Sequence, residues 1–155
     1  MTSAVRQCYE AVQDHVGAER TQPLGAIGTR DAQRFAVAVR GLEPHADEPM
    51  HPLFLTSVLG WGTGPAEGEL RSDGLGPDDT RGLPAGALRV MGAGQEVVVH
   101  REPRPGVLIT VHTSIVDAQF REGRSGELLI VRVRRRFTDD TGHDLVTCHE
   151  TFLAR

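Results

Sequence analysis

The chain contains no lysine: all 17 of its basic residues are arginine. Arginine suits bidentate contacts to phosphate, and the codon bias of a GC-rich genome leaves the same mark with no functional meaning. Cysteine is scarce as well, with only Cys8 and Cys148 in 155 residues. Two cysteines so far apart exclude a disulfide framework and fit reduced thiols in a cytosol. No run approaches the ~20 apolar residues of a membrane span. The opening segment MTSAVRQCYEAVQDH has no apolar stretch of the secretory kind, so a cytoplasmic protein is expected. Aromatics are few at 5% and the formal net charge is −4, which argues against binding nucleic acid or an anionic membrane. GxSxG, P-loop and GxGxxG patterns are missing, as are HxxxH and CxxC spacings. No metal and no bound cofactor are therefore expected.

What is present is ordinary for a globular protein: 39% apolar and 25% charged residues in a length that suits one domain, 1–155. Val5, Cys8, Tyr9, Val12 and Val16 recur at helical spacing, so residues 3–16 read as an amphipathic helix inside an N-terminal segment 1–18 that Gly17 stops. Residues 20–28 read as a short strand or an extended lead-in. Thr29 reads as an N-cap, with Asp31 in the first turn. Ala32, Phe35, Ala36 and Val39 then follow at i, i+3, i+4 and i+7, giving a helix over 30–40 that ends at Gly41. Three prolines make 41–52 a loop, and the apolar run 53–61 reads as a short buried helix. Residues 62–86 hold seven glycines and three prolines, the composition of a lid or binding loop.

From residue 87 the periodicity changes. A strand with a glycine-marked bulge at Gly92–Gly94 is followed by a Pro-Gly turn at 103–106. The β-branched run 107–120, a turn at 122–127, an alternating strand at 128–139, a hairpin turn and a last strand at 145–154 complete an antiparallel meander. One face of such a sheet must be covered, and the helix at 30–40 is the element available to cover it.

The runs GAGQEVVVHREPRPG (92–106), VHTSIVDAQFREGRSGELLIVRVRRRFTD (111–139) and GHDLVTCHETFLAR (142–155), with RFAVAV (34–39) and HPLFLTSVLGWG (51–62) upstream, carry a family likeness. They resemble the MaoC-like, FAS1-like dehydratase N-terminal domain family of the R-specific enoyl thioester hydratase superfamily. The resemblance implies an α+β hot-dog fold, an antiparallel sheet wrapped around a central helix. It also implies hydration of a 2-enoyl thioester of coenzyme A or acyl carrier protein, or the reverse dehydration. A homodimer, or a heterodimer with a second hot-dog subunit, goes with it, since a lone sheet leaves an edge open.

The family motif, Gly-Asp-x-Asn-Pro-x-His, belongs in the loop after the helix with the Phe-Ala pair. Here the aligned stretch reads Gly41-Leu42-Glu43-Pro44-His45, placing Leu42 where Asp is expected. A second near-match, Asp47-Glu48-Pro49-Met50-His51, keeps Asp, Pro and His and is one residue short. Glu43, His45, Asp47 and His51 are therefore the candidate catalytic residues, a carboxylate and an imidazole in each pair. The competing reading is a solvated acidic loop. The substrate-binding candidates are Trp61, Gly94, Gln95, His100 and Arg104. Against them stand a packing role for Trp61 and a backbone-bonded strand end for His100. Arg132, Arg134, Arg135 and Arg136 form a basic stripe that either meets phosphate or a carrier protein, or lies solvated and paired to Glu127, Glu150 or Asp139.

Overall fold

The computed structural model describes residues 2–41, 48–57, 66–70 and 88–155. Its first helix, α1 (Ala4–Gln13), starts at Ser3, whose hydroxyl accepts the Arg6 amide at 3.2 Å. Val5, Cys8 and Val12 recur on one side of α1, and all three are buried. A short extended strand, β1 (Glu19–Ala26), follows. Helix α2 (Thr29–Arg40) begins one residue earlier than the capping pattern predicts. Gly28 is its N-cap, because its carbonyl accepts the Asp31 and Ala32 amides, and Thr29 is already helical. Gly41 ends α2 at φ 71°, a left-handed conformation that glycine adopts without strain, and donates to the Val37 carbonyl.

Helix α3 (Leu53–Ser57) comes next, then a single 3-10 turn at Glu67–Glu69. The rest of the glycine-rich stretch 62–86 lies outside the described residues. Four long strands complete the chain: β2 (Val90–Val99), β3 (Leu108–Gly123), β4 (Gly126–Thr138) and β5 (Asp144–Ala154). They form one antiparallel sheet in the order β1-β3-β4-β5-β2, with β1 and β2 at the edges. The glycine-marked bulge falls where the sequence puts it: pairing jumps from Gly92↔Phe152 to Gly94↔Thr151, leaving Ala93 as the extra residue. At the β4–β5 turn the Asp139 carboxylate accepts the Thr141 hydroxyl at 2.6 Å and the His143 and Thr141 amides at 2.8 and 3.0 Å.

Alternation decides which side chains face inward. Leu129, Val131, Val133 and Phe137 of β4 and Val146, Cys148 and Ala154 of β5 are buried on one face. Three helices share the covering of that face, and they divide it. Val5, Cys8 and Val12 of α1 pack on Ile115, Ala118, Leu129, Val131, Val133 and Ala154. Ala32 of α2 and Phe54 and Leu55 of α3 pack on Ile109, Val111, Phe137, Leu145 and Val146. Each Val, Leu or Phe so buried is worth about 1.5–3 kcal/mol.

This is the hot-dog architecture, with two corrections to the sequence reading. Helix α3 shares the core, with Phe54 and Leu55 closed to solvent, while Val39 of α2 is 51% exposed rather than core. Helix α2 buries only its small Ala32 and Ala36, whereas α3 buries the large Phe54 and Leu55. Second, Arg135 does not belong to the basic stripe. It shares the parity of Val133 and Phe137 and is 1% exposed on the inner face, paired with Glu150. The outer-face arginines pair instead with Asp117 (Arg132, 3.8 Å), Glu19 (Arg134, 3.7 Å) and Asp144 (Arg136, 2.9 Å), exposed contacts worth about 0–1 kcal/mol each.

Candidate active site

The proline-rich segment enters the described structure at Glu48, which is ion-paired to Arg40 at the end of α2. Two residues on, the buried Met50 donates its amide to the Pro103 carbonyl at 2.8 Å. That bond ties the segment to the Pro-Gly turn between β2 and β3. The same turn is fixed from the other side by the Gly106 amide, which donates to the Ile27 carbonyl at 3.0 Å. Three connections that are remote in sequence, around residues 27, 50 and 104, thus meet at one end of the sheet.

His51 stands at that junction. Its carbonyl accepts the Phe54 amide at 2.9 Å, and its Nδ1 accepts the Leu53 amide at 3.3 Å. The ring lies 5.7 Å from the Phe35 ring, which in turn packs edge-on to Phe54 at 5.2 Å. So α2 supplies an aromatic wall, and the start of α3 supplies the backbone donor that orients the imidazole. An Nδ1 that accepts an N–H carries no proton, which assigns the ring proton to Nε2. The half-buried imidazole then presents its Nε2–H away from that bond.

The other candidates are placed unevenly. Glu43, His45, Asp47 and Trp61 lie outside the described residues. Arg104 is exposed on the turn that holds Met50, on the same end of the sheet as His51. Gly94 and Gln95 sit at the bulge of β2. From there Gln95 points inward, its Nε2 2.9 Å from Cys148 Sγ and 3.5 Å from Glu150 Oε1. His100 turns the other way. Its amide donates to the Leu145 carbonyl at 2.8 Å and its Nε2 lies 2.9 Å from the hydroxyl of Thr147, a residue of outer-face parity. The structure therefore puts His51 and Arg104 at the same end of the sheet, leaves Gln95 exposed on the edge strand β2, and turns His100 toward Thr147.

Sequence reasoning offered Glu150 as a partner for the arginine stripe but missed that Arg135 meets it on the inner face. The signal was there, since both residues fall on the apolar parity of their strands. The thiols of Cys8 and Cys148 are pushed up by burial, which leaves them poor nucleophiles. Among the described residues no three His, Cys, Asp or Glu side chains gather as metal ligands. No helix among them is long and apolar enough to cross a membrane.

Residues 14–148 match the family model of the FAS1-like dehydratase domain region. No curated protein matches the chain in sequence. Among solved structures, the ChsH1-ChsH2 complex from Mycobacterium tuberculosis superimposes with a TM-score of 0.68 at 12% identity, covering 96% of this chain and 89% of that one. The HadBC (3R-hydroxyacyl-ACP dehydratase) complex from Mycobacterium tuberculosis gives 0.59 at 16% identity, covering 90% and 92%. The R-hydratase PhaJ1 from Pseudomonas aeruginosa gives 0.57 at 16% identity, covering 93% and 83%. At these identities the likeness is one of fold.

Proposed function

Because this chain belongs to the FAS1-like dehydratase family, we propose that it is a hydratase or dehydratase acting on a 2-enoyl or 3-hydroxyacyl thioester of coenzyme A or acyl carrier protein. The observation that carries the reading is His51. It follows the segment where the family keeps its catalytic Asp and His, and its ring is fixed by the Leu53 amide and the Phe35 face. With Nδ1 occupied, the imidazole cannot release its one proton without becoming an anion. Its Nε2–H therefore orients the water, and a carboxylate moves the proton. Asp47 is the first choice for that carboxylate and Glu43 the second, with His45 as the partner of Glu43. In hydration the carboxylate takes a proton from water as the water oxygen bonds to C3, then returns it to C2. Dehydration runs the same steps backwards, and every proton is accounted for. Arg104, exposed beside this end of the sheet, is suited to a phosphate of the thioester carrier, and Trp61, Gly94 and Gln95 to the acyl arm.

A partner subunit fits the sheet edges. Strand β1 carries Glu19, Arg20, Pro23 and a bulge, the features that blunt an edge. Strand β2 has one charge, Glu96, and leaves Met91, Val98 and Val99 more than a third exposed. A second hot-dog sheet, from another copy or from a different chain, would pair there. A cytosolic setting suits the buried thiols of Cys8 and Cys148.

The second reading is an acyl-binding subunit whose partner supplies the Asp and His. The one-residue deletion in Asp47–His51 favours it. Crotonyl-CoA hydration by the purified chain separates the two. Turnover by the chain alone supports a complete enzyme. Turnover only after addition of a second hot-dog chain with an intact motif supports the silent subunit. No turnover in either arrangement, with acid or adduct formed instead, points to other thioester chemistry on the same fold.

A further inference from the structure

In the connection between β2 and β3, Arg101, Glu102 and Arg104 are exposed, while Pro103 between them is closed to solvent. The turn meets the body of the protein through a proline ring. Proline suits such a position, because its φ is fixed in advance and it has no N–H to leave unpaired on burial. Its carbonyl still needs a donor, and the Met50 amide supplies one at 2.8 Å.

Met50 is therefore fixed twice. Its side chain is 5% exposed and packs in the cluster that holds Ile27, Phe54, Phe137 and Leu145. Its amide is held by a turn remote in sequence. His51 follows directly. On its other side the Phe54 amide donates to the His51 carbonyl at 2.9 Å, and the Leu53 amide reaches Nδ1 at 3.3 Å. The imidazole hangs between two anchors: the start of α3, which is local, and the Met50–Pro103 bond, which is not. A contact of 3.3 Å lies beyond the usual N–H bond length, so a small change in the His51 backbone angles breaks it.

Resting on the dehydratase reading above, we propose that Pro103 is a positioning residue for His51. It is a buried peg that acts through the Met50 amide, sets the backbone at residue 51, and so aims the Nε2–H at the reacting water. Reaction geometry tolerates little error: a displacement of about 1 Å can cost about 100-fold in rate. A peg that served stability alone would lower the melting temperature when trimmed and leave the folded enzyme as fast as before.

The test uses the full chain, with any partner subunit it needs, well below the melting temperature of each variant. Pro103→Ala trims the ring and keeps the carbonyl. Its hydration of crotonyl-CoA is expected to fall about 10- to 100-fold in kcat, with KM held within about threefold. Pro105→Ala, at the neighbouring half-buried proline, should leave both constants unchanged. Where Pro103→Ala does not fold, Gly106→Ala takes its place: strained at φ 84° with open space for its Cβ, it loosens the same turn from the other end and should give the same loss. A second readout needs no turnover. A long-range nitrogen–proton NMR correlation of the imidazoles at about pH 9, above the ordinary histidine range, shows which ring nitrogen holds the proton. The His51 signals are those missing from His51→Ala. The wild type should show a single Nε2–H tautomer, and the loosened variant a mixture. Wild-type kcat and a single tautomer in that variant overturn the positioning role and leave the dehydratase reading standing. No hydration by the wild type in any arrangement removes that reading, and the tautomer comparison then decides by itself whether Pro103 sets the ring.

Discussion

Replacing Arg135 alone by methionine takes away a guanidinium that is 1% exposed and leaves Glu150, 8% exposed, without its counter-charge. Breaking a buried pair from one side costs about 3–5 kcal/mol, a large share of the 5–15 kcal/mol that holds a domain folded. For a chain of 155 residues, 1 kcal/mol moves the melting temperature by about 2–4 °C, so the single variant should melt about 6–20 °C below the wild type. Arg135→Met/Glu150→Met removes both charges and fills the same volume with hydrocarbon. It should melt at the wild-type temperature or above, because replacing the whole pair is neutral or stabilising by about 1–4 kcal/mol. Thermal unfolding followed by circular dichroism, with the three proteins at equal concentration, reads the difference. A single variant as stable as the wild type refutes the placement of Arg135 in the core. A double variant no better than the single one refutes the claim that stability does not need the pair.

Phe54→Ala, which empties a closed position under α2, should cost about 3–5 kcal/mol in urea unfolding; a loss below 1 kcal/mol would mean that α3 is not seated as described. The Asp139 carboxyl is held below the usual carboxylate range chiefly by the Thr141 hydroxyl, with the His143 and Thr141 amides adding to it. A depressed folded pKa stabilises the protein above the unfolded carboxylate range, and the gain disappears as pH falls through the folded value. Asp139→Asn should therefore flatten the fall in melting temperature between pH 5 and 2, an arm of the curve that stays unchanged if the turn contributes nothing. Met91→Lys/Val98→Lys on the β2 edge should convert any dimer to monomer in sedimentation, whereas the same charges at Thr21 and Gln22 of β1 should not. A dimer that survives the β2 pair and dissociates with the β1 pair would move the interface to the other edge.

The sheet was legible because its strands repeat one simple rule. Val131, Val133 and Phe137 against Arg132, Arg134 and Arg136 give the two faces of β4 directly, and the glycines at 92 and 94 announce the bulge. Reading Arg135 as part of a surface stripe ignored that same alternation in favour of charge. The covering of the inner face was harder. Val39 keeps the helical spacing of Phe35 and Ala36 and yet faces solvent, an outcome that only tertiary packing decides. At the site, a histidine beside prolines was visible in the sequence. That Nδ1 of His51 is tied to the Leu53 amide, or that His100 turns toward Thr147, depends on local geometry and on strand register that no single-residue pattern encodes.

One measurement bears most directly on the account: the loss of enoyl absorbance when crotonyl-CoA is mixed with the protein, alone or with a partner subunit, and with each of Asp47→Asn, His51→Ala, Glu43→Gln and His45→Ala in its place. A fall of about 100-fold or more is predicted for Asp47→Asn and His51→Ala, or else for the Glu43 and His45 variants. Undiminished hydration in all four would contradict the assignment of the proline-rich segment as the catalytic one.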